Sequence, residues 1–253
     1  MSTHDTTTTD KFALALVATG ALFLVVAVRT PFMLGLVVGA IAAGAYGHRT
    51  KQADLVKAAS FTTPLYMLGW LCDWWISQLT PRTIDAQLLA IDHGVGVAVW
   101  HWSAAHPAVM WVLTPVYYGL GFAMLAGIAV TDRRREMLRA FGIAAVLGLF
   151  CYWMFPAVGP RWVGTPGAVR NCMPSLHLTW ALLLWRYAPR GNVWRWPFAL
   201  FAALTALATL ATGEHYGVDL LVAVTFTETV CALAAIRIPL GGFLTSFKLA
   251  VLP

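Results

Sequence analysis

The sequence contains few charged residues. Aspartate, glutamate, lysine and arginine make up 11% of its 253 residues, whereas 59% are hydrophobic. Soluble domains carry roughly a quarter charged residues, so an ordinary soluble protein is excluded, and the mean hydropathy of +0.71 indicates an integral membrane protein. No polar stretch is long enough for a separate soluble domain. The net charge of +6 is explained by basic residues in cytoplasmic loops, so we expect no nucleic-acid partner.

Cysteine is also scarce, and the sequence lacks a signal-peptide pattern. The cysteines Cys72, Cys151, Cys172 and Cys231 have neither the spacing of a metal site nor that of a disulfide framework. Three of them lie in apolar runs and are predicted to be small core residues, whereas Cys172 lies close to His177. The first ten residues are threonine-rich, with two aspartates and no lysine, which predicts a disordered tail.

Apolar runs of helix length recur along the chain and predict an all-α, polytopic transmembrane bundle of about six to eight spans. Residues 83–102 mix acidic residues and histidines with apolar ones, which predicts an interfacial helix or a re-entrant segment. The expected organisation is a disordered tail at 1–11, N-terminal transmembrane helices at 12–57, a catalytic core at 58–237 and a C-terminal tail at 238–253. The runs lie near 12–28, 31–46, 58–79, 108–130, 138–155, 175–188, 196–212 and 217–236.

The distribution of basic residues predicts the orientation in the membrane. With both termini in the cytoplasm, 13 of the 17 lysines and arginines fall on the cytoplasmic side, as the positive-inside bias requires. Two polar islands then fall on the arginine-poor, extracytoplasmic side: residues 171–177 (NCMPSLH) and residues 213–219 (GEHYGVD). Ionisable groups at a membrane boundary are costly, so these islands are candidate functional sites.

The second island combines a histidine and an aspartate at helical spacing. His215 and Asp219 are four residues apart, so on a helix they share one face. The carboxylate can accept the Nδ1 proton of the imidazole, which leaves Nε2 with a free lone pair. An imidazole held in this way is a competent nucleophile toward phosphorus and can form a phosphohistidine.

The first island places polar groups at a predicted helix start. Pro174 favours the beginning of a helix, so Ser175 and His177 are expected in its first turn, where free N–H groups attract phosphate oxygens. His177 can protonate a leaving alkoxide as general acid. Arg161 and Arg170 precede this island against the charge bias, and we expect them to hold phosphate oxygens.

Simpler interpretations remain open for the same residues. A histidine at the end of a membrane helix can simply be an interfacial residue without a catalytic role. Asp73 and Glu228 could pair inside the bundle or line a polar cavity. The His-x3-Asp pair could also offer two metal ligands. The sequence supplies no clear third ligand, so neither a metal nor another cofactor is expected.

With these residues in place, the chain resembles the type 2 phosphatidic acid phosphatase superfamily, whose ordered motifs are KxxxxxxRP, PSGH and SRxxxxxHxxxD. Residues 174–177 (PSLH) match the second motif with leucine for glycine, and His215 and Asp219 match the HxxxD of the third. Arg161 stands where the first motif has its arginine. The resemblance implies that His215 is the nucleophile, Asp219 its partner and His177 the general acid.

The chain departs from the family pattern at two places. Met154 stands in place of the lysine, and Ala208 and Thr209 stand in place of the Ser-Arg pair. The Pro-Arg loop, PSLH and HYxxD together resemble the inositol-phosphorylceramide-synthase-like branch, and residues 83–92 do so too. That branch transfers a phosphoryl headgroup from one lipid to another alcohol.

These observations predict a metal-independent membrane enzyme that acts on a lipid phosphate ester among membrane lipids. Its acceptor is either an alcohol, as in a headgroup phosphotransferase, or water, as in a lipid phosphatase. Two alternative functions belong to other classes. One is a transporter, which the predicted intramembrane residues Asp73 and Glu228 favour weakly, and the other is an inactive lipid-binding relative. No internal repeat of the transporter type is present in the sequence.

Overall fold

The computed structural model describes residues 71–80, 82–191 and 193–236, with 45, 48 and 49 as isolated positions. The predicted tails at 1–11 and 238–253 lie outside the described residues, and so do the predicted helices at 12–57 apart from those three positions. Within the described residues the chain is helical and contains no strand, which confirms the all-α class. After helical residues 71–79, the elements are α1 Asp85–Asp92, α2 Val95–Ala104, α3 Pro107–Tyr118, α4 Leu120–Val130, α5 Arg134–Met154, a 3-10 helix Pro160–Trp162, α6 Leu176–Tyr187, α7 Arg195–Ala211 and α8 Gly217–Ala235.

Two of the described helices are long and apolar enough to cross a membrane. They are α5, with 21 residues, and α8, with 19. The helices α3 and α4 form a third candidate if they are one span bent by 51° at Gly119, one turn after the internal Pro115. The described residues therefore give two or three candidate spans, and they do not confirm the expected six to eight.

The segment predicted as one interfacial helix near 83–102 is two short helices. The break between α1 and α2 is at His93 and Gly94, which have φ angles of +50° and +78°. Only glycine adopts such angles at no steric cost, so two successive left-handed residues end a helix. The acidic residues of this stretch have a structural role, because Asp85 and Asp92 are buried and accept hydrogen bonds from other parts of the chain.

The core forms around α6, which packs against α4, α5, α7 and α8. Small residues bring the backbones of α5 and α6 close together: Ala140, Ala144 and Gly148 are all buried at four-residue spacing. A Cβ atom on Gly148 would lie 2.8 Å from the side chain of Leu176. Small residues at helix interfaces are the usual means of close packing between membrane helices.

Arginine side chains bind the C-terminal carbonyl groups of α4 and α8 at one end of the bundle. The guanidinium of Arg134 donates to the carbonyl oxygens of Ile128 and Ala129, at 2.8 and 3.0 Å. That of Arg139 donates to Ala234 O at 3.1 Å. Cations at helix C-termini oppose the negative end of the macrodipole. The opposite end carries both polar islands, where α5 and α7 end and α6 and α8 begin.

Candidate active site

The first island begins helix α6 at Ser175. This serine is the N-cap residue, and its Oγ accepts a hydrogen bond from Leu178 N at 3.4 Å. The hydroxyl also lies 3.2 Å from His215 Nε2, so it joins the two islands directly. Ser175 is fully buried, and it lies at the N-terminus of α6, where backbone N–H groups attract anions.

His177 follows in the first turn of α6, as the sequence predicts. Its ring stacks on the ring of Tyr117 in α3, with centroids 4.2 Å apart and planes 14° from parallel. The imidazole is half-buried, and it lies two residues after Ser175, whose hydroxyl contacts His215 Nε2. The stacking holds the His177 ring in a defined plane beside the second island.

The second island brings His215 and Asp219 together at the start of α8. His215 Nδ1 lies 3.6 Å from Asp219 Oδ2, an ion-pair distance slightly longer than a hydrogen bond. Both residues are buried, with exposures of 3% and 0%. His215 Nδ1 and Asp219 Oδ1 are buried side-chain atoms without a hydrogen-bond partner. A small closure would complete the predicted Nδ1–H···carboxylate bond, as catalytic hydrogen bonds commonly tighten on substrate binding.

Cys172 is a third member of this cluster that the motif analysis did not assign. Its thiol donates to Asp219 Oδ2 at 2.7 Å, and the same oxygen accepts from Tyr216 N at 2.8 Å. Burial, and then the nearby charge of Asp219, raises the pKa of the Cys172 thiol well above its usual value. The thiol is therefore a neutral donor at physiological pH. Ligand atoms of Cys172, His215 and Asp219 all lie within 4.8 Å of one another and could hold a metal ion.

The two arginines predicted to bind phosphate have different surroundings. Arg161 is exposed, its backbone N donates to Gly213 O at 3.0 Å, and its guanidinium lies over the Trp162 ring. Arg170 N donates to Ser77 Oγ at 2.7 Å, and the Arg170 guanidinium donates to Ser77 O. The structure thus brings Arg161 against the second island and ties Arg170 to the helical residues 71–79.

Asp85 links the loop before Arg161 to the second island. Its carboxylate accepts hydrogen bonds from Val158 N and Gly159 N, each at 3.2 Å, and from the Tyr216 hydroxyl at 3.0 Å. The sequence predicts Asp85 within an interfacial segment and indicates no role for it. The only signal in the sequence is an acidic residue among apolar ones, and this signal does not identify its hydrogen-bond partners.

Asp92 caps two helices at once. One carboxylate oxygen accepts from Gly96 N at 2.6 Å at the start of α2, and the other accepts from Val218 N at 3.3 Å at the start of α8. Gly217 leaves room for this contact, because a Cβ there would lie 2.7 Å from Asp92 Oδ1. Asp92 therefore sets the position of α2 against the helix that carries Asp219.

Replacing Asp92 with alanine should destabilise the protein by about 2–3 kcal/mol, because two buried N–H groups lose a charged acceptor. Thermal unfolding in detergent measures the loss. The matched control is Asp132→Ala, since Asp132 is an exposed aspartate just before α5, and its removal should change stability by less than about 0.5 kcal/mol. Equal stability of the two variants would contradict the capping role.

Glu214 should make the stability depend on pH. Burial raises the pKa of Glu214, and the hydrogen bond from Trp162 Nε1, 3.0 Å long, only partly offsets this. Since the folded pKa lies above the unfolded value near 4.5, the folded state loses stability as the pH rises past that value. Glu214→Gln removes the ionisation and leaves an acceptor for Trp162.

The Glu214→Gln variant should therefore match the wild type below the unfolded pKa and become more stable than it at neutral pH. Thermal unfolding scans across this pH range measure the difference. A stability difference that does not grow with pH would contradict buried ionisation at Glu214.

Together these groups can carry out phosphoryl-transfer chemistry. The N-termini of α6 and α8 offer positive dipole ends and backbone donors to an anion. His215 offers a lone pair on a nitrogen that contacts Ser175, and His177 offers an exchangeable proton nearby.

Comparison with known proteins identifies the family. A family model described as the PAP2 superfamily matches residues 86–172 and 165–233, which together cover more than half of the chain. Searches of curated proteins and of solved structures found no match. The matched ranges include His177, His215 and Asp219. The chain therefore belongs to the PAP2 superfamily, which makes it an integral membrane protein and a phosphatase-type enzyme.

Proposed function

We propose that this protein is a headgroup phosphotransferase that moves a phosphoryl group from a lipid phosphate ester through a phosphohistidine on His215. One observation carries the proposal. His215, Asp219 and Ser175 are buried together where α6 and α8 begin, with His177 in the adjacent turn. All four residues stand at positions of the family motifs that the sequence resembles.

The reaction proceeds in two balanced steps. His215 Nε2 forms a bond to phosphorus while the bond from phosphorus to the leaving oxygen breaks, and His177 gives that oxygen a proton. In the second step His177 takes the proton of the acceptor hydroxyl, whose oxygen attacks phosphorus, and the bond to His215 breaks. Asp219 stabilises the positive charge on the His215 ring throughout.

Hydrogen-bond donors and arginine side chains hold the phosphate oxygens during both steps. Backbone N–H groups at the start of α6, the Ser175 hydroxyl and the guanidinium of Arg161 face the negative charge. Arg170 adds its positive charge to the loop before the first island, where its guanidinium donates to Ser77 O. These cations and donors take the part that Mg²⁺ has in other phosphoryl transfers, so the reaction is metal-independent.

An apolar cavity supports a lipid as the substrate. A cavity of about 550 Å³ lies between α2, α3 and α7, and its lining includes Trp102, Ser103, Leu207 and Ala211. Ala211 is the last residue of α7, four residues before His215, and its carbonyl accepts a hydrogen bond from Ser103 Oγ at 2.7 Å. We assign this cavity to an acyl chain of the lipid whose phosphate lies at His215.

An alcohol is the preferred acceptor. The sequence resembles the inositol-phosphorylceramide-synthase-like branch, in which an alcohol takes the headgroup. Burial of His215, at 3% exposure, limits the access of bulk water to a phosphohistidine and so supports transfer over hydrolysis. The second candidate is a lipid phosphatase with water as acceptor, which membership of the PAP2 superfamily favours.

The site faces the extracytoplasmic side in this proposal, and about six to eight spans enclose it with both termini in the cytoplasm. The support comes from the ends of the bundle. The polar islands lie at one end, and Arg134 and Arg139 bind helix C-termini at the other. Labelling of single cysteines from outside intact cells, introduced at the exposed Gly164 and at Asp132, tests this orientation.

A turnover assay tests the activity. Purified protein in detergent and EDTA is given lipid phosphates and phospholipids, with and without acceptor alcohols, and both free phosphate and new lipid are measured. New phospholipid that requires the alcohol supports the phosphotransferase. Free phosphate without alcohol indicates the phosphatase instead, loss of all turnover in EDTA contradicts metal independence, and a folded protein without any product contradicts both activities.

A further inference from the structure

Three different ligand types meet beside the nucleophile. We propose that Cys172, His215 and Asp219 form a binding site for a thiophilic divalent cation such as Zn²⁺, and that its occupation inhibits the enzyme. Their ligand atoms lie within 4.8 Å of one another. A thiolate, an imidazole and a carboxylate are the ligands that Zn²⁺ takes, and three protein ligands leave a fourth position for water or substrate.

Two unpartnered polar atoms support the site independently of this clustering. His215 Nδ1 and Asp219 Oδ1 are buried without a hydrogen-bond partner, although each residue is at most 3% exposed. A buried polar atom left in this way is costly. A cation between the imidazole and the carboxylate would satisfy both atoms, and the Cys172 sulfur already lies 2.7 Å from the second carboxylate oxygen.

The chemistry of the cluster selects the cation. Sulfur is a soft ligand that favours Zn²⁺ and disfavours Mg²⁺, which requires six oxygen or water ligands. Binding forms a Zn–S bond and releases the thiol proton of Cys172 to the solvent. One thiolate and one carboxylate then balance the two positive charges. Because the thiol gives up its proton on binding, affinity for Zn²⁺ should rise with pH.

Occupation of this site blocks the proposed reaction, and this second half of the inference rests on the proposed function. A cation on His215 Nδ1 separates the imidazole from the Asp219 carboxylate that orients it. It also neutralises the Asp219 charge, which would otherwise stabilise a ring that must become cationic when Nε2 is phosphorylated. Both effects oppose the formation of a phosphohistidine.

Direct binding tests the site without reference to activity. Purified protein in detergent is stripped with EDTA, freed of the chelator and titrated with Zn²⁺ against a chromophoric competitor. We expect one Zn²⁺ per chain, and with Co²⁺ a sulfur-to-metal charge-transfer band. Cys172→Ser should weaken Zn²⁺ binding by at least about 100-fold, the upper range for loss of an outer-sphere partner. Asp219→Asn should weaken it as well, so the conclusion does not depend on one variant.

The matched control is Cys151→Ser, because Cys151 is a half-buried cysteine on α5 outside the cluster. It should bind Zn²⁺ as the wild type does. Equal Zn²⁺ affinity in the wild type and Cys172→Ser, in protein that unfolds cooperatively, would overturn the site, as would the absence of a charge-transfer band.

An activity measurement separates this inference from the proposed function. Turnover in EDTA with loss of turnover at one equivalent of Zn²⁺ supports both. Stoichiometric Zn²⁺ binding through Cys172 in a protein without turnover supports the site and contradicts the proposed function. Turnover that Zn²⁺ at saturating occupancy leaves unchanged, or that requires Zn²⁺, overturns the inhibitory effect.

Discussion

Replacing His215 with alanine is expected to lower turnover by at least about 10⁴-fold, the scale on which loss of a covalent nucleophile acts. The reason is geometric, since His215 Nε2 contacts the N-cap hydroxyl of α6 at 3.2 Å, where the helix N-terminus attracts phosphate. The described residues place no second imidazole in this position. Initial rates of product formation from the best lipid donor measure the effect.

A matched histidine variant controls for nonspecific damage. His106 is exposed on the connection between α2 and α3, and its Nδ1 lies 2.6 Å from Trp102 O. His106→Ala should keep wild-type turnover. Rapid denaturation of the wild type with a phosphorus-labelled donor should trap an acid-labile, alkali-stable phosphoprotein that His215→Ala lacks. Wild-type turnover in His215→Ala would exclude His215 as the nucleophile.

Replacing Gly159 with alanine should produce the second largest effect, on both activity and stability. Gly159 has φ +82° and ψ +158°, a region that is essentially restricted to glycine and costs other residues about 1–3 kcal/mol. A Cβ there would also lie 2.7 Å from the carbonyl carbon of Glu214 and overlap its oxygen. The residue after Glu214 is His215, so the collision moves the nucleophile.

We expect Gly159→Ala to lower turnover by about 100-fold, the effect of misplacing a reacting group by about 1 Å. Gly164→Ala is the matched control: Gly164 has the same φ of +82°, but a Cβ there meets nothing within 4 Å. The Gly164→Ala variant therefore has the backbone strain but not the steric collision. The two variants are compared in initial rate and in thermal unfolding, and equal losses would mean that strain alone explains the effect.

Several elements could be predicted from the sequence because their signals are local. The apolar run at 138–155 predicts α5, and the run at 217–236 predicts α8, since a membrane requires long apolar helices. The expectation that a helix starts at Ser175 and His177 is confirmed: Ser175 is the N-cap residue of α6 and His177 lies in its first turn. The signal is local, because Pro174 directly precedes the N-cap serine. The expectation that His215 and Asp219 share one helix face is wrong, because α8 begins at Gly217 and His215 lies in the loop before it. The two side chains are nevertheless close, with His215 Nδ1 3.6 Å from Asp219 Oδ2.

Other features depended on contacts between distant segments. The sequence at 83–102 predicted an interfacial helix, and the structure has two helices whose acids accept hydrogen bonds from residues more than 70 positions away. Cys172 lacks metal spacing in the sequence, yet it reaches Asp219 across 47 positions. No periodicity encodes such pairs, because they arise only when the loops at residues 155–175 and 212–216 fold against each other.

The sequence by itself determined the membrane class and the helical fold of the core, and it predicts the chemistry of His177, His215 and Asp219. The tertiary structure decided which polar groups share the site. Burial is the physical reason, because a carboxylate removed from water must find donors, and those donors come from whichever chain segments pack nearest. Asp85 thereby ties the loop at Gly159 to the second polar island and Asp92 ties α2 to it, while Cys172 of the first island contacts Asp219.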